Sequence, residues 1–300
     1  MRMGAEGFIE KKIDCAKRTI EKNIDYLRCP LCGADFGVFE GRLKCENSHS
    51  YDISRKGYVN LFSGYTKITK TYDKKLFAAR KTVSGAGLYG GLCGALREMI
   101  KQPGAVLDAG CGCGNLTVDL FGPRGDSLVF AVDLSKDGIN SAAGGFCSGN
   151  LLWIVGNLNN LPIACGKIDA VLNIMSPANY AEFSRVLKPG GFLLKVLPDS
   201  DYLMELRRFI YGENDKNEYS NKDVMENIAK NMDISEITGV RYTHNIKEEH
   251  IPALFDMTPL TLNIDGREKL REELCGAGGF SVTLAFKIVL CKKYNSFTYI

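Results

Sequence analysis

The sequence predicts an α/β fold: a doubly wound, mostly parallel sheet of seven strands with helices on both faces, preceded by a small metal-binding module. Three observations carry this. Ala105 to Leu120, AVLDAGCGCGNLTVDL, reads as strand, glycine turn and helix, the opening half of a nucleotide-binding α/β unit. Further apolar runs follow it at the spacing of alternating strands and helices. Ahead of it, Cys29, Cys32, Cys45 and His49 stand at metal-ligand spacing.

The chain divides into residues 1–28, an amphipathic helical extension; 29–52, the cysteine knuckle; 53–104, a basic connecting segment with helices; and 105–300, the α/β domain. In the first, Ile9, Ile13, Ala16, Ile20, Ile24 and Leu27 recur at steps of three and four, a stripe that packs against the body of the protein. No apolar run reaches the length of a membrane span, and no basic-then-apolar export signal opens the chain, so a cytoplasmic location is expected. There the 11 cysteines are expected to be thiols or metal ligands rather than disulfides.

The knuckle has the form Cys29-x2-Cys32-x12-Cys45-x3-His49. Each close pair places two ligands on one turn. Between them, Phe36, Val38 and Leu43 around Gly37 and Gly41 read as a hairpin that brings the pairs together. Thiolates and an imidazole suit Zn²⁺, and four protein ligands leave no open position, so the site is expected to be structural.

Residues 53–104 carry ten Lys/Arg against Asp73 and Glu98, whereas 1–52 balance at nine and nine and 105–300 carry 19 against 24. A positive block of this kind suits a polyanion, and equally suits a solvated linker. On the first reading Lys67, Lys70, Lys74, Lys75, Arg80 and Lys81 meet phosphates.

The glycine turn names its ligand by its acids. A dinucleotide fold wants G-x-G-x-x-G facing a pyrophosphate. Here Asp108 precedes Gly110, Gly112 and Gly114, and would repel a pyrophosphate. It suits a cationic amino acid whose ammonium needs an acceptor. Asp133, at the end of the run LVFAVDLS, is placed to accept from both hydroxyls of a ribose. The two carboxylates point to S-adenosylmethionine, with contacts at Asp108, Gly110, Gly112, Gly114, Asn115, Asp133, Leu134 and, at the end of the fourth strand, Asn173.

Leu151 to Val155 gives a third strand, followed by Gly156, Asn157 and Leu158, placed to frame an adenine. Asp169 to Ile174 gives a fourth, ending at Asn173 and Met175-Ser176-Pro177 beside the expected methyl position. FSRVLKPGGFLLKVLP reads as a helix, a Pro-Gly-Gly turn and a fifth strand. A helix over Asn221–Lys230, a strand over Gly239–Asn245 and an apolar antiparallel last strand over Ser281–Lys292 complete the sheet. No side chain stands out as a general base; Asn173 and Ser176 are the candidates at the reacting centre, placed to hold a substrate edge by hydrogen bonds.

Knuckle, basic segment and glycine loop in this order resemble the RlmA family of 23S rRNA guanine-N1 methyltransferases, whose catalytic domain is Rossmann-like (class I methyltransferase). The similarity covers nearly all of residues 29–300 and is carried by KGYVNLF (Lys56–Phe62), FAARKTVSGAGLYGGL (Phe77–Leu92), DYLMEL (Asp201–Leu206) and MTPL (Met257–Leu260) besides the loop. The resemblance implies cofactor contacts at Tyr89, Cys113, Gly114 and, where at least one branch has His, at Tyr202. It implies a zinc domain that helps recognise RNA, and a guanine target in a domain II hairpin. Leu260 and Leu262 stand where the family usually has an aromatic residue and tryptophan. Two-fold pairing is compatible with holding a long hairpin. A small-molecule methyltransferase, for which the knuckle and basic block have no use, and a noncatalytic RNA-binding protein on a methyltransferase-like core are the competing readings.

Overall fold

The computed structural model describes residues 11–64, 73–101, 103–122, 126–212, 220–262, 264–276 and 278–294. Helix α1 (Lys12–Lys22) buries Cys15, Ala16, Thr19 and Ile20 and lies against the main sheet. Ile9 lies outside the described residues. Strands β1 (Phe36–Phe39), β2 (Arg42–Cys45) and β3 (Ser50–Asp52) form a small antiparallel sheet in that order. The β1–β2 turn places Glu40 and Gly41 both at positive φ, the conformation whose twist suits a two-residue hairpin. Phe36 and Leu43 face inward, and Tyr51 closes the interior edge-on against Phe36 at 5.6 Å.

The main sheet contains β4 (Tyr58–Asn60), β5 (Ala105–Ala109), β6 (Leu128–Asp133), β7 (Leu151–Val155), β8 (Ile168–Ile174), β9 (Leu187–Pro198), β10 (Asp233–Ile246) and β11 (Phe280–Lys292). Their order is β10-β11-β9-β8-β5-β6-β7-β4, with β11 antiparallel to both neighbours and the rest parallel. The expected seven strands are joined by an eighth, β4, drawn from the basic segment. Three residues are too short to announce a strand by alternation, but Val59 is fully buried beside Ile154. Pro189-Gly190-Gly191 does not form a separate turn. It is taken into β9 as an irregularity between the paired residues Leu187 and Phe192.

Strands β5, β6 and β7 are joined by α4 (Asn115–Phe121) and α5 (Lys136–Gly145), and the chain then returns to the other side of β5 as β8. The switch point is therefore between β5 and β8, where such sheets bind ligands beyond the strand ends. Helices α2 (Lys74–Gly85) and α3 (Gly90–Ile100) precede β5; α6 (Tyr180–Val186), α7 (Met204–Tyr211) and α8 (Lys222–Asn231) follow β8. An arm between β10 and β11 contains α9 (Ile251–Asp256) and α10 (Arg267–Cys275), and α9 packs on α2. Among the described residues, no helix is long and apolar enough to cross a membrane.

Candidate active site and metal centre

Three glycines shape the bend after β5. All three have positive φ: +87° at Gly110, +58° at Gly112 and +74° at Gly114. At Gly114 any side chain would strike the indole of Trp153 at 2.3 Å, so the loop is pressed onto the buried core. At Gly110 a Cβ would lie 1.9 Å from Ser176 Oγ. The loop after β8 thus closes directly on the loop after β5.

Both expected acids stand at this bend, one on each of two paired strands. Asp108 is 3% exposed, and its Oδ2 accepts from Thr117 Oγ1 at 2.6 Å. Burial pushes its pKa up to about 7; the Thr117 bond opposes this and the nearby Asp133 carboxylate adds to it. Asp133 Oδ2 accepts from the Gly112 N–H at 2.8 Å and Oδ1 from the Ser135 N–H at 2.7 Å. Each oxygen keeps a further lone pair for a ribose hydroxyl. Burial raises the Asp133 pKa, while those two backbone bonds and Arg80 draw it back. Thr117, which orients Asp108, carries no signal of its own in the sequence beyond its position in the first turn of α4.

The residues expected to frame the adenine lie just beyond the ends of β6 and β7: Leu134 is 40% exposed, and Asn157 and Leu158 are half-buried. The loop that presents them is anchored from two directions. The Gly156 N–H donates to Asp133 O at 2.9 Å, and Asn160 Nδ2 donates to Pro30 O at 2.6 Å, so the same loop holds the N-terminal module. Arg28 extends that joint, donating from Nε to Leu161 O and pairing with Glu182.

At the reacting centre the geometry departs from the sequence reading. Asn173 is fully buried. Its amide donates to Ala109 O at 2.7 Å and Pro177 O at 3.0 Å, and its Oδ1 accepts from Lys195 Nζ. Both hydrogens are spent inside the protein, so Asn173 ties β8 to β5 across the switch point instead of holding a substrate edge. Lys195 also donates to Ser176 O, and burial lowers its pKa to about 8. A lone lysine within the apolar run FLLKVLP was the one available signal for this group. Ser176 is half-buried, and Met175 before it has φ +48°, a conformation unusual for a long side chain and characteristic of functional loops.

The sequence blocks Phe77–Leu92, Asp201–Leu206 and Met257–Leu260 converge on the same bend. Tyr89 and Tyr202 bring their hydroxyls to 3.3 Å, and both rings lean on Phe286. Tyr89 Oη also donates to Met257 Sδ at 3.7 Å. Burial raises the pKa of both phenols, leaving them neutral hydrogen-bonding groups. Cys113 packs with Leu76, Phe77 and Leu262 over the loop, and burial raises its thiol and that of Cys111, which argues for packing rather than nucleophilic roles. Asn115 Nδ2 donates to Arg80 O at 3.3 Å.

Of the expected phosphate contacts, Lys67 and Lys70 lie outside the described residues. Lys74, Lys75 and Lys81 are exposed on α2. Arg80 is not part of that exposed face: it is half-buried, and its Nε donates to Met257 O at 3.1 Å. The helical repeat separates it from its basic neighbours, since adjacent residues on a helix do not share a face.

The metal quartet is assembled. Ligand atoms of Cys29, Cys32, Cys45 and His49 all lie within 4.8 Å of one another. Cys32 Sγ is 3.7 Å from Cys45 Sγ, and His49 Nδ1 is 3.4 Å from Cys45 Sγ and 3.5 Å from Cys29 Sγ. A tetrahedral zinc with ordinary bond lengths has S···S and S···N edges of about 3.8 and about 3.6 Å, so three thiolates and Nδ1 fit the ion. Tyr51 Oη, 3.6 Å from Cys29 Sγ, supports the quartet from outside.

A bend of three left-handed glycines between two strand-end carboxylates, at the switch point of this sheet, defines a class I S-adenosylmethionine-dependent methyltransferase, here with a structural zinc module ahead of it. Comparison with known proteins makes this particular. Residues 27–70 match the zinc-ribbon family described as RlmA, N-terminal, and residues 106–191 match a methyltransferase domain. A Bacillus subtilis (strain 168) protein, YxjB, assigned by name to the 23S rRNA (guanine-N(1)-)-methyltransferases, is 39% identical over 81% of this chain and 89% of its own. The Streptomyces fradiae 23S rRNA (guanine(748)-N(1))-methyltransferase is 28% identical over 91% of this chain and 99% of its own. A Micromonospora griseorubida protein, also assigned by name to the 23S rRNA (guanine-N(1)-)-methyltransferases, is 30% identical over 61% of this chain and 69% of its own. The chain belongs to the RlmA family of 23S rRNA (guanine-N1)-methyltransferases.

Proposed function

We propose that this enzyme methylates N1 of one guanine in a hairpin of domain II of 23S rRNA. The observation that carries the reading is the joint between its two halves. The loop that presents Asn157 and Leu158 to the cofactor also holds the zinc ribbon through Asn160 and Pro30, so a substrate gripped by the ribbon has a fixed position relative to the methyl group. A small metabolite has no use for that arrangement. Lysines at the start of α2 support a polyanion. Lys74 and Lys75 occupy the first turn, where the helix dipole disfavours cations, and serve the protein better as phosphate contacts than as helix formers.

The cofactor supplies a methyl group already activated by its sulfonium. The chain supplies alignment. Asp133 and Asp108 hold ribose and ammonium, Tyr89 and Tyr202 wall the pocket, and the Met175–Pro177 loop, locked by Lys195 and Asn173, presents Ser176 to the incoming base. Transfer of that methyl to N1 would release the N1 proton, which would leave to water. The guanine enters as a looped or extruded base. This reading sets the protein to work in the cytoplasm, with ribosomal RNA as its partner.

The test is reverse transcription of 23S rRNA from cells with and without the protein, paired with labelled-methyl transfer in vitro. A stop at one domain II guanine, lost in the deletion and restored by the purified enzyme, is expected. Label entering only small molecules, or unchanged stops, would overturn the reading.

A further inference from the structure

Arg80 separates from the basic face on which the sequence places it. We infer that it belongs to the cofactor site, where its guanidinium receives the α-carboxylate of the methionyl group; this rests on the S-adenosylmethionine reading above.

Three observations support it. Helix α2 lies across the glycine bend: a Cβ on Gly112 would touch the Phe77 ring at 3.7 Å, and one on Gly138 would meet Phe77 at 3.1 Å and Gly112 O at 2.7 Å. Arg80 is one turn beyond Phe77 on the same face. The backbone at Arg80 is tied to the start of α4 by Asn115 Nδ2, and its side chain is oriented by Met257 O, whose residue also receives the Tyr89 hydroxyl. Finally, its positive charge is felt at four points of the pocket, lowering the pKa of Asp133, Cys113, Tyr89 and Tyr202 against the effect of burial.

The cofactor's own chemistry supplies the reason for a cation here. Its sulfonium and ammonium are positive and its ribose neutral; the carboxylate is its single anionic group. Asp108 and Asp133 serve the others and would repel the carboxylate. Lys195, a buried base near the bend, donates to Asn173 Oδ1 and Ser176 O beneath the methyl position. A guanidinium on the opposite wall matches a carboxylate with a pair of parallel N–H donors.

The experiment is calorimetric titration of the full-length protein with S-adenosylmethionine and with its decarboxylated analogue, for wild type, Arg80→Met and Arg80→Lys. Gel-shift binding of the hairpin RNA without cofactor is measured on the same proteins. Wild type is expected to prefer the carboxylate-bearing form at least tenfold. Arg80→Met should lose that preference by weakening only S-adenosylmethionine, with Arg80→Lys intermediate, and RNA affinity unchanged in both. Equal loss for both nucleosides, unchanged S-adenosylmethionine affinity, or a fall in RNA affinity with a flatter salt dependence each overturns the assignment. Wild type binding neither nucleoside would sink the cofactor reading itself, a result distinguishable from any of these.

Discussion

Asp108 meets Thr117 at 2.6 Å, in a position where the carboxylate is almost wholly cut off from water. That burial, only partly offset by the Thr117 bond, sets how the cofactor site should respond to pH. Burial raises the Asp108 pKa to about 7, so the acid is largely neutral below that value. An arriving ammonium favours the ionised form. S-adenosylmethionine affinity is therefore expected to climb as pH rises through 7 and then level off, with a fraction of a proton released on binding near neutrality. Calorimetry in buffers of different ionisation enthalpy reads both quantities, and a flat profile would contradict the argument.

Replacing the acid separates its two effects. A carboxyl whose folded pKa is raised contributes stability that is complete below its unfolded value and disappears as pH rises through the folded one. Asp108→Asn should thus melt higher than wild type at pH 8, without ligand, yet bind S-adenosylmethionine about 10- to 100-fold more weakly, as expected for one charge-assisted hydrogen bond of roughly 1.5–3 kcal/mol. Thermal melts and titrations on the same preparation decide it.

Lys195 is expected to act through the residues it holds. Lys195→Met leaves Asn173 Oδ1 and Ser176 O buried without that donor, a cost of about 1–3 kcal/mol for each unsatisfied group. With the Met175–Pro177 loop loosened, kcat should fall by at least tenfold while KM for the cofactor changes little. A rise in KM with kcat preserved would place Lys195 on the cofactor instead.

Removing zinc should uncouple binding from reaction. Chelation, or Cys29→Ser together with Cys45→Ser, is expected to unfold the β1–β3 module, because its interior is little more than Phe36, Leu43 and Tyr51 around the quartet. The module's interior runs into the core on one face of the main sheet, but residues of the sheet and of α6 fill most of that core and the other face has a separate one, so S-adenosylmethionine binding should persist within about threefold. Methyl transfer to RNA should vanish. Metal analysis giving one zinc per chain, and RNA methylation lost without loss of cofactor binding, are the readouts.

The exposed lysines give the opposite pattern from Arg80. Lys74, Lys75 and Lys81 replaced together by Ala should lower RNA affinity. The slope of log K against log salt should become shallower by about 0.7–0.9 for each phosphate that is no longer neutralised. Cofactor affinity should stay as in wild type. Filter binding from low to moderate salt makes the comparison, and an unchanged slope would remove these side chains from the RNA interface.

How much of this was legible beforehand follows from what kind of constraint each feature obeys. The four metal ligands, the strand–glycine–helix bend and the strand-end acids are local patterns: spacing alone fixes them, and the chain had to bring only a hairpin or one α/β unit together. Residues 151–155 illustrate the same point, since a buried parallel strand reads as a plain apolar run and matches β7 residue for residue.

What the sequence could not decide was where side chains end up after long-range packing. Asn173 looks free to meet a substrate until Ala109 O and Lys195, 64 and 22 residues away in the chain, claim its amide. Arg80 is one basic residue among six until helix α2 lies down on the glycine bend and turns it toward Met257, 177 residues on. Composition and spacing determined the class of ligand, because charge and backbone freedom are properties of the residues themselves. Which side chains stay available to a ligand and which are taken up inside the protein was decided only by the tertiary structure, because hydrogen-bonding capacity is finite and the folded chain spends it first on itself.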